Sequence, residues 1–389
     1  MRILMISDVY FPRVNGVSTS IKTFRRELIE QGHQVTLVAP DYGPGATDDP
    51  DIVRIPSRGV PGDPEDRMMQ RKALAGFRKH LSTGQYDVVH IQTPFVAHYA
   101  GVKIARQLKV PCLVSYHTLF EEYLYHYIPY LPKALLRYVA RHFTRSQCKA
   151  VNMVIAPSNP MRQVLADYGV HNLIEVIPTG MQMKQFDRPA DGSFRRRHSI
   201  AEDRPVLVHV GRIAHEKNIG FLIQVLQQVR KQLPDILLII AGEGPALQHT
   251  RNQVRQLELS NNVLFVGYLN RDNDLLDCYQ AGDIFVFASK TETQGLVLLE
   301  AMALGTPVVS LAYLGTCDIL APQRGALIAD DSVDDFSTKL IRLLQDAEMR
   351  ARMSEEGRHY AAEWSATLLA EKLALLYQNL LEPANAVPN

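Results

Sequence analysis

The sequence predicts an α/β fold of two domains, each a parallel sheet covered by helices, and three observations predict it. Strand-sized apolar runs alternate with helical stretches in both halves of the chain, as they do where helical crossovers join parallel strands. Polar residues or glycines stand just past the C-terminal end of each run, where open parallel sheets bind ligands. A chain of 389 residues, 46% apolar, also exceeds what one hydrophobic core usually serves.

Along the first half, strands are expected over 3–7, 35–39, 88–92, 112–116, 154–157 and 175–178. Gly32 reads as a helix C-terminus before the second strand, and Ser158 as an N-cap after the fifth. Along the second half, strands are expected over 206–210, 237–241, 264–266, 284–288 and 308–310. Residues 180–204 lose periodicity and gain charge, Pro and Gly, as a linker does. Within them Arg195, Arg196 and Arg197 read as a solvated face. The expected domains are therefore 1–185 and 186–369, and 383–389 reads as a frayed tail.

Composition excludes several classes. A net charge of +1 argues against a nucleic-acid binder that relies on a global positive field. No apolar stretch reaches the roughly 20 residues of a membrane span. The apolar run at the N-terminus suits a first buried strand better than a signal peptide, so a cytoplasmic protein is expected. Cys112, Cys148, Cys278 and Cys317 lack the short spacings of zinc or redox pairs. GEGPAL, from Gly242, is not a dinucleotide fingerprint, and there is no P-loop. The D-x-D triplets at Asp49–Asp51 and Asp272–Asp274 do not directly follow strands, so turn or cap roles are expected and no obligatory metal.

The chemistry-bearing segment is ETQGLVLLE, from Glu292 to Glu300, between the runs DIFVFAS and GTPVVS. It reads as strand, turn, helix, strand, with the N–H groups around Thr293, Gln294, Gly295 and Leu296 at a helix N-terminus that suits a phosphate. Glu300 would lie roughly two turns along that helix, at about 1.5 Å per residue. Arg212 and Lys217, in GRIAHEKN, stand at a strand end and before a helix N-terminus. Cations there oppose the helix dipole, so an anion between them would explain their position. Asn15 and Gly16 stand between the first strand and a helix, in a simple turn or where backbone must approach a ligand. His117 ends the strand CLVSY; such a histidine is also a common packing residue.

Glu, seven residues, Glu, followed by AMALGTPVV, resembles the donor-site signature of the retaining GT-B glycosyltransferases of family 4, and similar matches run through the chain. The resemblance implies two Rossmann-like domains facing across a deep cleft, with a C-terminal helix over about 370–382 returning to the first domain. It implies that Arg212 and Lys217 bind the donor pyrophosphate, and that the Gly16 loop faces the distal phosphate and sugar. His117 would contact the transferred sugar, Glu292 its hydroxyls and Glu300 the ribose. A nucleotide sugar then serves as substrate, with no cofactor.

One feature speaks to the acceptor. Lys133, Arg137, Arg141, Arg145 and Lys149 recur every fourth residue, and from Tyr123 to Ala166 there is no acidic residue. A helix here would carry a basic stripe, preceded by Tyr123, Tyr125, Tyr127 and Tyr130, that can lie on an anionic membrane; a solvated outer helix is the alternative. The run SYHTLFEEYLYHYIPYLP before this stripe resembles bacterial diacylglycerol glucosyltransferases of the same family. That implies UDP-glucose as donor and a membrane lipid as acceptor. A soluble or polysaccharide acceptor, a mannosyltransferase and a non-catalytic nucleotide-sugar-binding protein stay open.

Overall fold

Ile3, Leu4, Met5 and Ile6 leave strand β1 (Arg2–Ile6) no polar face, and the strand is buried in the interior of a parallel sheet. The computed structural model describes residues 1–43, 49–60, 63–117, 132–271 and 273–382. Two compact units emerge: Met1–Gly180 together with the chain from Ala366 onward, and Met181–Ser365. Among the described residues no helix is long and apolar enough to cross a membrane.

The first unit has a seven-stranded sheet in the order β3-β2-β1-β6-β7-β8-β9, parallel throughout. Its strands are β1, β2 (Gln34–Pro40), β3 (Ile52–Ile55), β6 (Val88–Ile91), β7 (Cys112–Ser115), β8 (Met153–Ala156) and β9 (Leu173–Val176). A small antiparallel pair, β4 (Ser57–Val60) and β5 (Asp63–Met69), forms a second sheet, with Met69 buried in the core beside Ile6 and Val38. Helices α1 (Gly16–Glu30), α2 (Arg71–Lys79), α3 (Val96–Leu108), α4 (Lys133–Lys149) and α5 (Asn159–Asp167) complete the crossovers. The chain runs outward from β1 to β3 and returns to β6 beside β1, so the ends of β1 and β6 form a topological switch point. Asp8 stands there, accepting hydrogen bonds from Thr93 Oγ1 (2.8 Å) and from the N–H groups of Phe95 (3.2 Å) and Ala97 (3.0 Å). Burial pushes its carboxyl up to about 6.

The second unit holds a six-stranded parallel sheet, β12-β11-β10-β13-β14-β15. Its strands are β10 (Val206–Val210), β11 (Leu237–Ala241), β12 (Val263–Gly267), β13 (Ile284–Phe287), β14 (Val308–Leu311) and β15 (Ala326–Ala329). Helices α6 (Ser193–Arg197), α7 (Ile219–Arg230), α8 (Leu247–Gln256), α9 (Asp274–Ala281), α10 (Leu296–Ala303), α11 (Thr316–Leu320), α12 (Val333–Gln345) and α13 (Ala347–Ala362) surround it. Apolar cores lie on both faces, one around Phe285, Phe287 and Leu299, the other around Ile223, Ile240 and Phe336. Helix α14 (Ala366–Leu381) belongs to the first unit, burying Leu373 and Tyr377 in one core with Ile3, Met5 and Leu28.

The stretch 180–204 corrects the linker expectation, because it folds into the second unit. Arg195 donates to the carbonyls of Ala281, Ala201, Glu202 and Arg204 and pairs with Asp283 at 3.1 Å. Arg197 pairs with Asp274 at 3.1 Å and Asp277 at 3.2 Å. These arginines tie α6 to α9 and β13; only a sequence window hides their partners, some 80 positions away. Asp49 also exceeds its turn role, since it pairs with Arg25 at 2.7 Å. Asp272 and 383–389 lie outside the described residues. All four cysteines are unpaired.

Three described imidazoles are at most 1% exposed, His90, His98 and His209, and burial pushes His98 down to about 4. His90 bonds Tyr377 Oη (2.6 Å) and Ser115 Oγ (2.8 Å) in the first unit, and burial pushes it down to about 3. In the second, burial pushes His209 down to about 4. A base with a depressed folded pKa stabilises above its unfolded value, about 6.5, and loses that contribution as pH falls through the folded value. Each histidine should cost about 1.4 kcal/mol per pH unit below 6.5, with Asp8, shifted upward, offsetting one proton in the first unit. Denaturant midpoints should therefore fall between pH 6.5 and 4.5; a flat profile would contradict the burial of these rings.

Candidate active site

In the second unit the chain runs from β10 out to β12 and returns to β13 beside β10, so the crevice opens between the ends of β10 and β13. Gly211 and Arg212 follow β10. A 3₁₀ turn, His215–Lys217, then leads through Asn218, left-handed at φ 56°, into α7. Two glycines make this packing possible. A Cβ at Gly242 would overlap the Gly211 carbonyl, and one at Gly244 the Ile213 carbonyl, so the β11 loop lies flush against the Arg212 loop.

After β13 the turn carrying Glu292, Thr293 and Gln294 enters α10 at Gly295, left-handed at φ 98°. Leu298 N–H turns back to the Gly295 carbonyl (3.0 Å). Leu296 and Val297, the first two helical residues, have no carbonyl of their own helix to bond. From the far side the turn is held by Gly315, whose N–H donates to the Glu292 carbonyl (2.9 Å).

Lys217 Nζ pairs with Glu292 Oε1, so the cation and the carboxylate of the two loops meet. Both side chains stay about one-fifth exposed, at 21% and 20%. Arg212 is exposed on the same loop. Glu300 differs: it is buried, pairs with Arg271, and accepts a hydrogen bond from Tyr279 Oη at 2.7 Å. The Glu300 charge raises the Arg271 pKa, and burial, with Glu300 second, holds the Tyr279 hydroxyl well above its ordinary range. An anion entering this crevice meets two cations and a helix N-terminus, but it must compete with Glu292 for Lys217.

Gly16 and His117 belong to the first unit. Asn15 caps α1 by accepting from Ser18 N–H (2.8 Å), and a Cβ at the exposed Gly16 would meet nothing, so no packing demands glycine there. His117 Nε2 lies 3.1 Å from Gln92 Oε1; that oxygen can only accept, so Nε2 carries the proton. The residue is half-buried, yet its ring lies deep enough that burial pushes it down to about 4.

The basic stripe is corrected in part. Residues four apart advance by about 40° on a helix of 3.6 residues per turn, so five of them wind through about 160°. The stripe on α4 accordingly turns along the helix: half-buried Arg141 stacks over the Tyr168 ring at 5.2 Å, and Arg145, still exposed, donates to the Tyr168 carbonyl at 3.0 Å. Arg137 and Lys149 are exposed, and Lys133 begins the helix. Between them α4 exposes an apolar face, with Leu135 46%, Tyr138 68% and Val139 46% accessible. Tyr123, Tyr125, Tyr127 and Tyr130 lie outside the described residues.

Sequence reasoning missed His209, Arg271, Tyr279 and Asp8. His209 carried a signal, a polar residue interrupting the buried run VLVHV one position before the strand ends; Arg271, in a turn, carried none.

Comparison with known proteins adds independent findings. The Glycosyltransferase Family 4 model matches residues 14–185, and the Glycosyl transferases group 1 model matches residues 191–360. An alpha-monoglucosyldiacylglycerol synthase of Streptococcus pneumoniae is 38% identical over 323 residues, covering 80% of this chain and 71% of its own. A GDP-mannose-dependent alpha-mannosyltransferase of Mycobacterium tuberculosis is 27% identical, covering 92% and 93%. The crystal structure of Anabaena HepE in complex with UDP and glucose superimposes with a TM-score of 0.79 at 17% identity, covering 97% of this chain and 100% of that one. That likeness concerns the fold.

Proposed function

Because this chain belongs to glycosyltransferase family 4, we propose that it is a retaining hexosyltransferase moving glucose from UDP-glucose to a lipid such as diacylglycerol at a membrane surface. The observation that carries the reading is the Lys217–Glu292 pair in front of α10. It provides a cation for a diphosphate and a carboxylate for sugar hydroxyls at one switch point, and the name of the pneumococcal relative supports glucose and diacylglycerol.

In the proposed reaction the bond between the sugar's anomeric carbon and the diphosphate oxygen breaks. The acceptor oxygen attacks on the same face, and its proton passes to the departing phosphate. Negative charge growing on the leaving group is stabilised by Arg212, Lys217 and the amides at Leu296 and Val297, fixed in place before the reaction begins. These cations supply the charge a divalent ion could otherwise bring, so no obligatory metal is proposed. Glu292, released by Lys217, takes sugar hydroxyls and Glu300 takes the ribose; for His117 and the Gly16 loop the proposed roles are those the resemblance implies.

The exposed Leu135, Tyr138 and Val139, with Arg137 and Lys149 on the same helix, support docking on an anionic bilayer. Changing those three apolar residues to serine should weaken sedimentation with phosphatidylglycerol vesicles at least about tenfold, given about 0.8 kcal/mol per buried methylene. Unchanged sedimentation would remove the membrane from the proposal.

A second reading, a mannosyltransferase using GDP-mannose, is favoured by the mycobacterial relative. Incubation of the protein with UDP-glucose or GDP-mannose and diacylglycerol-containing vesicles, with chelator, separates the two by product mass. Glucosyl-diacylglycerol is expected; a mannosylated product, or product only in water-soluble acceptors, would replace the reading.

A further inference from the structure

His209 lies at the crevice where β10 and β13 part. The two strands pair only through Leu207 with Ile284 and Val208 with Phe285, although β10 continues to Val210 and β13 to Phe287. His209 follows the last paired position of β10, and its Nδ1 reaches across to the Val286 carbonyl at 3.1 Å. A carbonyl only accepts, so Nδ1 holds the ring's proton and Nε2 presents a lone pair. The residue is 0% exposed, and Nε2 has no partner among the described residues.

A buried acceptor without a donor costs stability, about 1–3 kcal/mol in general, and its position says what it awaits. Nε2 lies 3.7 Å from where a Cβ at Gly211 would stand, so it underlies the loop that carries Arg212 and leads to Lys217. The charges that act on the ring are those of Lys217 and Glu292. Lys217 is the one of these two that can donate, and its ammonium has three hydrogens.

We propose that His209 is a positioning residue for the diphosphate grip: its Nε2 accepts a hydrogen from the Lys217 ammonium once a bound diphosphate has drawn Lys217 away from Glu292. The inference rests on the reading that Lys217 binds the donor diphosphate. One hydrogen then goes to His209 beneath, the others face the phosphate, and Glu292 is left to the sugar. The wedge between β10 and β13 fixes where the lysine can stop, and no proton leaves the lysine.

The test uses ¹⁵N NMR of the imidazoles in the full chain, titrated with UDP. Saturating UDP should shift the His209 Nε2 resonance as an acceptor newly hydrogen-bonded, and the shift should vanish in Lys217→Ala while other UDP-induced shifts persist at higher concentration. His209→Asn, whose amide keeps the bond to Val286 but lacks the second nitrogen, should bind UDP about tenfold more weakly with an unchanged melting temperature. His209→Gln should recover most of that affinity. An unmoved Nε2 resonance at saturation, or normal UDP affinity in His209→Asn, overturns the inference and leaves the transferase reading standing. Failure of the wild-type protein to bind UDP, GDP and ADP overturns both.

Discussion

Lys217→Ala is expected to lower hexose transfer by about 10²–10³-fold, the range observed when one fixed donor to a developing anion is removed. The loss should exceed that of a surface cation, because truncation leaves Glu292 unpaired beside the arriving diphosphate. Stability should fall as well, because the Glu292 side chain, only about one-fifth exposed, loses the cation that pairs with it. Glu292→Ala separates the two functions of the pair. Lys217 then starts unpaired by Glu292, so UDP should bind as well as in wild type or better, whereas transfer collapses because the sugar has lost its carboxylate. Parallel loss of UDP affinity in both variants, measured by titration calorimetry, would show that the pair is only a structural bridge.

Gly315→Ala should give the second large effect. Gly315 has ordinary helical angles, φ −60° and ψ −24°, so alanine brings no conformational strain there. Its Cβ would instead overlap the Thr293 carbonyl and the Gln294 nitrogen. Those atoms are backbone and cannot rotate aside, so the turn bearing Glu292 must move. Overpacking of this kind costs about 1–3 kcal/mol, and displacing a reacting group by about 1 Å can cost 10²-fold in rate. The variant should fold, melt lower and lose transfer roughly a hundredfold. A variant melting and turning over as wild type would mean that the α11 loop does not hold the turn.

Most central strands and the turn before α10 were legible because their signals are local. VLVHV, LLIIA and IFVF are too apolar to lie anywhere but inside a parallel sheet. Glycine and polar residues after each strand marked the crevice side. Strand β5, DPEDRMM, was missed because an edge pair of charged residues carries no apolar alternation, and β15 because four residues between two helices give no period. Arg196 and Arg197 of α6 are indeed exposed, but the ion pairs of Arg195 and Arg197 were not legible because Asp283 and Asp277 are distant in sequence. The α4 stripe was read from spacing, and spacing ignores the rotation that carries Arg141 and Arg145 onto Tyr168. At the site, residue types revealed that Lys217 and Glu292 face a ligand, but not that they hold each other without one, nor that His209 underlies them.

Amide hydrogen exchange with and without saturating UDP tests the central claim most directly. If the diphosphate is held at the N-terminus of α10, exchange at Gly295, Leu296 and Val297 slows on UDP addition, and the protection disappears in Lys217→Ala at the same UDP concentration. Protection confined to other segments, with these three amides unaffected in the wild-type protein, would contradict it.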